Sequence, residues 1–315
     1  MAKQKMIIDC DTGVDDAQAI MMAVSRPDID VIAITCVNGN VDIDNVCRNT
    51  LRVLKICEAL HIPVFRGCTR PIIHHDEDAS FYHGQDGMGD HPNPPEVDMS
   101  CIQAEHAVNA LIRLTKLYKG QIKFVTLAPL TNLGVALRMD PDFSSRLKSL
   151  VIMGGNMQGK GNRSSSIASE FNFGTDPEAA YMVLHEMKCP ITIVSWELCL
   201  KDVYPWEKAE ECFHLNTRKS NFLQAITKST VNRQKTNREL GYISCDVFAT
   251  AVAIDSSIVL ESVDIFATVE LNGSLTRGML VADWRDKLKK SPNVTIVEKT
   301  DVEKSLSLWR FMLKD

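Results

Sequence analysis

Nowhere does the 315-residue chain hold an apolar run near the roughly 18 residues that cross a bilayer, so no membrane-spanning role is expected. Basic clusters interleaved with aromatic residues are also missing, and the net charge is −5. The electrostatic footprint of a nucleic-acid binder is therefore absent. The ten cysteines never stand in C-x-x-C spacing, which leaves no zinc-ribbon or thiol–disulfide signature. Scattered over a chain of this length, they read as the reduced, buried thiols of a cytoplasmic protein. The segment Lys3-Gln4-Lys5 leads into too short an apolar stretch for a secretory signal, in line with that placement. His74 and His75, with His83 and His91 further on, lie in a polar segment and read as loop residues rather than zinc ligands. A small-molecule partner is what these absences leave.

What is present is an ordinary globular balance, 45% apolar and 24% charged, with enough chain for a large core. Short runs rich in β-branched residues alternate with segments of helical period. That pattern predicts βαβ units in an open, mainly parallel, Rossmann-like α/β sheet with helices on both faces. Strands are expected at Met6–Asp9, Val31–Val37, Pro63–Phe65, Ile122–Leu127, Leu150–Met153 and Ile191–Val194. Helices are expected at Asp16–Ser25, Asn45–Leu60, Ile102–Tyr118, Asn132–Met139 and Pro177–Met187, the last behind an Asp176 N-cap. Two long polar connections, Gly67–Ser100 and Asn156–Thr175, read as active-site loops. Trp206–Tyr242 is polar and helical without a visible core stripe, as a flap over a site would be. Strands and a last helix near Val302–Leu313 complete the chain, with no repeat or linker to divide residues 1–315 into more than one domain.

Ligands of doubly wound sheets sit beyond the carboxyl ends of the strands, and there the polar residues concentrate. The first strand runs into Asp9-Cys10-Asp11-Thr12-Gly13-Val14-Asp15-Asp16, four carboxylates in eight residues. Asp9 and Asp11 share a strand face, and Gly13 permits the turn that brings Asp15 and Asp16 back. Taken singly, Asp15 or Asp16 can be an N-cap and Asp9 a satisfied buried acid. Together they need a countercharge, and an oxygen-only donor set favours Ca²⁺ or Mg²⁺ over zinc. Other strand ends supply Asn38-Gly39-Asn40, Leu127 to Asn132 and Met153-Gly154-Gly155-Asn156. Further on come Glu170-Phe171-Asn172 and Asp246, which opens an apolar helix. Amides beside carboxylates suit a polyhydroxylated sugar, whose every hydroxyl needs a donor and an acceptor.

The motif D-x-D-x-G-x-D-D-A, at Asp9, Asp11, Gly13, Asp15, Asp16 and Ala17, resembles that of the inosine-uridine-preferring nucleoside hydrolases, which include pyrimidine-specific ribonucleoside hydrolases. Supporting matches are Asn38-Gly39-Asn40, Pro129 to Asn132, Met153-Gly154-Gly155, Glu170-Phe171-Asn172 and Asp176 to Ala180, so the resemblance spans nearly the whole chain. It implies a homodimeric or homotetrameric enzyme that cleaves the N-glycosidic bond of ribonucleosides. It also implies Ca²⁺ held by Asp11, Asp16, Asp246 and the Leu127 carbonyl, with Asp15, Asn40, Asn162, Glu170 and Asn172 on the ribose and Met153 beneath it. Asn156 competes with Asn162 for one of these places. The reaction implied is attack of a positioned water on an oxocarbenium-like centre, with Asp11 the general base.

In the best-known subgroup a His precedes the last Asp ligand and protonates the departing base, whereas this chain has Cys245, a poorer proton donor at neutral pH. His83 matches a base-side His and is an alternative acid, as are Tyr242 and Arg233, unless Cys245 only packs and no acid is needed. Two other readings stand beside the hydrolase. One is a ribose- or nucleoside-binding protein with weak turnover. The other is a haloacid-dehalogenase-like phosphatase, disfavoured because Gly13 stands where that class has Thr or Val.

Overall fold

The computed structural model describes residues 3–73, 78–163 and 165–315. His74 and His75 lie outside them. The strands are β1 (Gln4–Cys10), β2 (Ile29–Cys36), β3 (Val64–Arg66), β4 (Ile102–Gln103), β5 (Lys123–Thr126), β6 (Ser149–Met153), β7 (Ile191–Val194), β8 (Val259–Ile265), β9 (Ala267–Val269), β10 (Leu280–Ala282) and β11 (Val294–Thr300). The α-helices are α1 (Val14–Ser25), α2 (Ile43–Ile56), α3 (Ser80–His83), α4 (Ala107–Leu117), α5 (Thr131–Met139), α6 (Phe171–Thr175), α7 (Pro177–Glu186), α8 (Trp196–Lys201), α9 (Trp206–Phe213), α10 (Arg218–Thr236), α11 (Cys245–Ile254) and α12 (Val302–Met312).

Nine strands form one sheet in the order β4-β3-β2-β1-β5-β6-β7-β11-β8, and β9 and β10 pair separately. All neighbours in the large sheet run parallel except β8, which is antiparallel to β11. Alternation within β1 shows why the sheet is covered on both faces. Met6, Ile8 and Cys10 enter one apolar layer and Ile7 the other, all fully buried. The first layer packs α1, α2, α11 and α12; the second packs α4, α5 and α7. No helix among the described residues is long and apolar enough to cross a membrane.

A polar thread ties the first layer together. Gln18 on α1 is fully buried; its Nε2 donates to the Tyr242 hydroxyl at 2.8 Å, and its Oε1 accepts from Trp309 Nε1 at 3.1 Å. Trp309 on α12 stacks on Tyr204 and Tyr242, with ring centroids 5.1 and 5.6 Å away. Trp309→Ala removes this packing and leaves the Gln18 oxygen without its donor. Stability in urea should therefore fall by about 4 kcal/mol with the unfolding slope unchanged. A loss below about 1 kcal/mol would show that α12 contributes little to the layer.

Several expectations need correction. The helix expected from Ile102 begins at Ala107, because Ile102–Gln103 pairs with β3 as an edge strand and the His106 side chain caps α4. Each long loop carries a short helix, α3 in the first and α6 in the second. Trp206–Tyr242 does own a core stripe. On α10, Phe222, Leu223, Ile226, Thr227, Thr230 and Gln234 are buried, and the polar members hid the period from view. Tyr242, weighed as an acid, is buried in the Gln18–Trp309 thread.

Candidate active site

The strand order reverses between β2-β1 and β5-β6, so the crevice beyond β1 and β5 is a topological switch point. The acidic loop after β1 and Leu127 after β5 both open there. Asp9 does not line the cavity and bonds instead toward β2 and α5. Its Oδ1 accepts from Thr35 Oγ1 and, at 2.8 Å, from Asn132 Nδ2, while burial pushes its pKa up to about 7. It braces β1 against β2 and α5.

Asp11 and Asp16 are buried and bound to the loop they stand in. Asp16 takes N–H bonds from Asp11 at 3.2 Å and Gly13 at 2.9 Å, so the first turn of α1 is stitched to the end of β1. Asn40 joins them, giving its backbone N–H to Asp11 Oδ2 at 2.8 Å and its side-chain Nδ2 to Asp16 Oδ2 at 3.2 Å. Two glycines permit this closeness. A Cβ on Gly39 would lie 2.0 Å from Asp11 Oδ2, and one on Gly13 would lie 2.5 Å from His83 Nδ1. Asp11 Oδ1 is left buried with no hydrogen-bond partner among the described residues.

Asp246, in the first turn of α11, completes the cluster. Ligand oxygens of Asp15, Asp16 and Asp246 all lie within 4.8 Å of one another. Burial first, then the neighbouring carboxylates, hold Asp11, Asp16 and Asp246 well above the ordinary carboxylate range. So much mutually repelling charge in one buried place is what a bound cation relieves. The donors are all hard oxygens and one of them is unpartnered, which fits Ca²⁺ or Mg²⁺.

Above the cluster lies a cavity of about 310 Å³, the size of a small-molecule site. Asp15, Asn40, Leu127, Met153, Asn162, Glu170, Asn172 and Asp246 line it, so the structure brings together every residue assigned to the ribose. Asn172 Nδ2 donates to the Leu127 carbonyl at 2.8 Å and to the Met153 carbonyl at 3.1 Å, and one lone pair of the Leu127 oxygen remains free. Glu170 caps α6 and also accepts the Gly155 N–H at 2.8 Å, and burial pushes it up to about 7. The two asparagines differ in how their amides are bonded. Asn156 spends its amide on the Lys160 and Ala168 carbonyls and on Leu280 N–H, outside the lining. Asn162 lines the cavity with Oδ1 unpartnered.

The residues weighed as acids are differently placed. Cys245 lines the cavity, but the bond to the Cys199 thiol, together with burial, pushes its own thiol well above the ordinary range. That makes it a weaker acid than an ordinary thiol. His83 Nδ1 accepts the Val14 N–H at 3.2 Å, which puts the ring proton on Nε2, and burial lowers its pKa despite Asp15 at 3.9 Å. The imidazole is thus a neutral hydrogen-bond donor, not a stored proton. Arg233 lies over the Phe81 ring at the mouth and donates to the Phe81 carbonyl at 2.9 Å.

The rest of the wall was not foreseen. Phe81, Tyr82, Trp196, Leu200, Gln234 and Ile243 make it mostly aromatic and apolar, facing the polar set. Phe81 and Tyr82 carried a signal, as aromatics beside His83. Gln234 on α10 falls in the Trp206–Tyr242 stretch expected as a flap, whereas Trp196 and Leu200 on α8 and Ile243 carried no local signal.

The profile of the inosine-uridine preferring nucleoside hydrolase family matches residues 6–307. The chain is 34% identical to an inosine-uridine preferring nucleoside hydrolase of Leishmania major over 305 residues, 96% of this chain and 94% of that one. Among solved structures, an inosine-guanosine nucleoside hydrolase superposes with a TM-score of 0.90 at 31% identity, covering 99% of both chains. A purine-preferring ribonucleoside hydrolase from Gardnerella vaginalis superposes at 0.87 with 27% identity and 98% of both chains covered. The acidic loop at the switch point, the sugar-sized cavity and these full-length likenesses agree: the chain belongs to the inosine-uridine preferring nucleoside hydrolase family and is an enzyme that hydrolyses ribonucleosides.

Proposed function

We propose that the reaction depends on Ca²⁺ held by Asp11, Asp16, Asp246 and the Leu127 carbonyl, and that Asp11 takes the proton of the attacking water. The observation that carries this reading is the Oδ1 of Asp11, buried among other carboxylates without a hydrogen-bond partner among the described residues. When bound, the cation supplies a positive charge that favours ionisation of a nearby water and anchors a vicinal diol. Asp15, Asn40, Asn162, Glu170 and Asn172 hold the ribose hydroxyls, and Met153 packs beneath the ring. Carboxylates beside the anomeric carbon stabilise the positive charge that develops as the glycosidic bond lengthens.

Cys245 and the neutral His83 both keep their protons at neutral pH, so the leaving base departs with hydrogen-bond help rather than full protonation. Cys245 packs against it, and the His83 Nε2–H donates to substrate. Bases that are stable as anions then leave fastest. Following free ribose from a panel of nucleosides, with and without a calcium chelator, tests the proposal. Uridine, inosine and xanthosine should be cleaved faster than adenosine, 2′-deoxynucleosides poorly, and all release should stop in chelator and return with Ca²⁺. Release that persists in chelator sinks the calcium reading, and adenosine cleaved fastest sinks the account of the leaving group.

A further inference from the structure

Gln234 is nine-tenths or more buried and its amide orientation is fixed from outside. Its Oε1 accepts the Ile243 N–H at 2.9 Å and its Nε2 donates to the Ile243 carbonyl at 2.9 Å. The backbone N–H can only donate and the carbonyl only accept, so the two ends of the amide cannot be exchanged. The second Nε2 hydrogen goes to the Tyr82 hydroxyl at 2.8 Å. Tyr82 Oη is therefore an acceptor toward Gln234, and its own O–H must point elsewhere. The ring lines the cavity beside His83, with centroids 4.9 Å apart, among the aromatic and apolar residues of the wall. Burial keeps the phenol far above its ordinary pKa, so it stays protonated.

We infer that the Gln234–Ile243 clamp aims the Tyr82 hydroxyl as a hydrogen-bond donor to the departing nucleobase. The inference rests on the reading above that the base leaves with hydrogen-bond help. As the glycosidic bond breaks, its electron pair stays on the base, and Tyr82 donates to an oxygen or ring nitrogen on which that charge gathers. No proton is transferred, so the base departs as an anion and takes its proton from solvent. The ligand class is a nucleobase presenting an acceptor, a ring nitrogen or an oxo group, toward the aromatic wall.

The test compares a nucleoside, inosine or uridine, with 4-nitrophenyl β-D-ribofuranoside, whose leaving group needs no donor. Tyr82→Phe should lower kcat on the nucleoside about 10- to 100-fold, the effect of one hydrogen bond to a developing charge, and leave the nitrophenyl riboside untouched. Gln234→Met, which keeps the Tyr82 ring and removes what aims its hydroxyl, should show the same selective loss in smaller measure. Retained activity on the nitrophenyl riboside reports that the fold and the ribose site are intact. Equal losses on both substrates, or no loss on either, in the two variants overturn the inference. A wild-type protein that cleaves the nitrophenyl riboside but acts best on adenosine would instead overturn the leaving-group reading beneath it.

Discussion

Asp11→Asn should lower kcat/KM for nucleosides on the order of 10³-fold, the effect of losing a general base, while raising the melting temperature of the metal-free protein. The two changes have one origin. Asn keeps an oxygen for the Asn40 N–H that Asp11 now accepts at 2.8 Å, and it removes one negative charge from a buried cluster whose members raise each other's pKa. Loss of activity with loss of stability is the common outcome of a mutation in a buried site, so the opposite signs identify a residue kept for its chemistry against the interest of the fold. Ribose release and thermal melting in chelator measure the two halves. A fall of under about tenfold would remove Asp11 from the role of base.

The second large effect is the response of stability to calcium and pH. Asp9 is raised to about 7, and Asp11, Asp16 and Asp246 are raised too, all above the unfolded value near 4. Between pH 4 and 7 the folded metal-free protein therefore holds more protons than the unfolded chain, and its stability falls as pH rises through that window. Below pH 4 both states are protonated and these groups contribute no slope. Calcium reverses the trend, because it needs the ionised carboxylates and competes with protons for them. At a concentration of about 100 Kd it should add about 2.7 kcal/mol, or roughly 4 °C in Tm for a chain of this length. Melting curves at pH 5.5 and 8 should show the larger calcium shift at pH 8. Equal shifts at both values, or none, would mean that these carboxylates do not hold the ion.

How far the sequence alone reaches is clearest at particular residues. β1 and the acidic turn were legible because a run of buried apolar residues ends abruptly in four carboxylates, a break that only a site explains. The helices α1, α5 and α7 were legible from their period and punctuation, with Asp176 capping α7 as expected. β4 was not, since two residues at a sheet edge carry no period. Nor does chain order give the insertion of β11 between β7 and β8, which depends on tertiary packing. In the site, the polar side of the cavity could be read because it is built from strand ends close to recognisable turns. The wall opposite comes from helices whose buried positions include Thr227, Thr230 and Gln234, and these look like surface residues until the fold is known. Asn156 and Asn162 look alike in spacing and differ only in that the loop consumes the amide of Asn156.

The place of β11 sets a schedule for synthesis. Its parallel partner β7 ends at Val194, and β11 begins at Val294, so the inner edge of β7 waits for about a hundred residues of translation. At the usual pace of elongation that is roughly 5–20 s during which an apolar, buried-type strand lacks its neighbour on that edge. Closing so long a loop is slow compared with forming the local βαβ units before it. All the carboxylates of the site, Asp246 included, have been synthesised by then, yet α12 with its Trp309 anchor follows only after β11. The nascent enzyme thus owns its chemistry before it owns its sheet, and the interval between the two is when it most needs shielding from other chains.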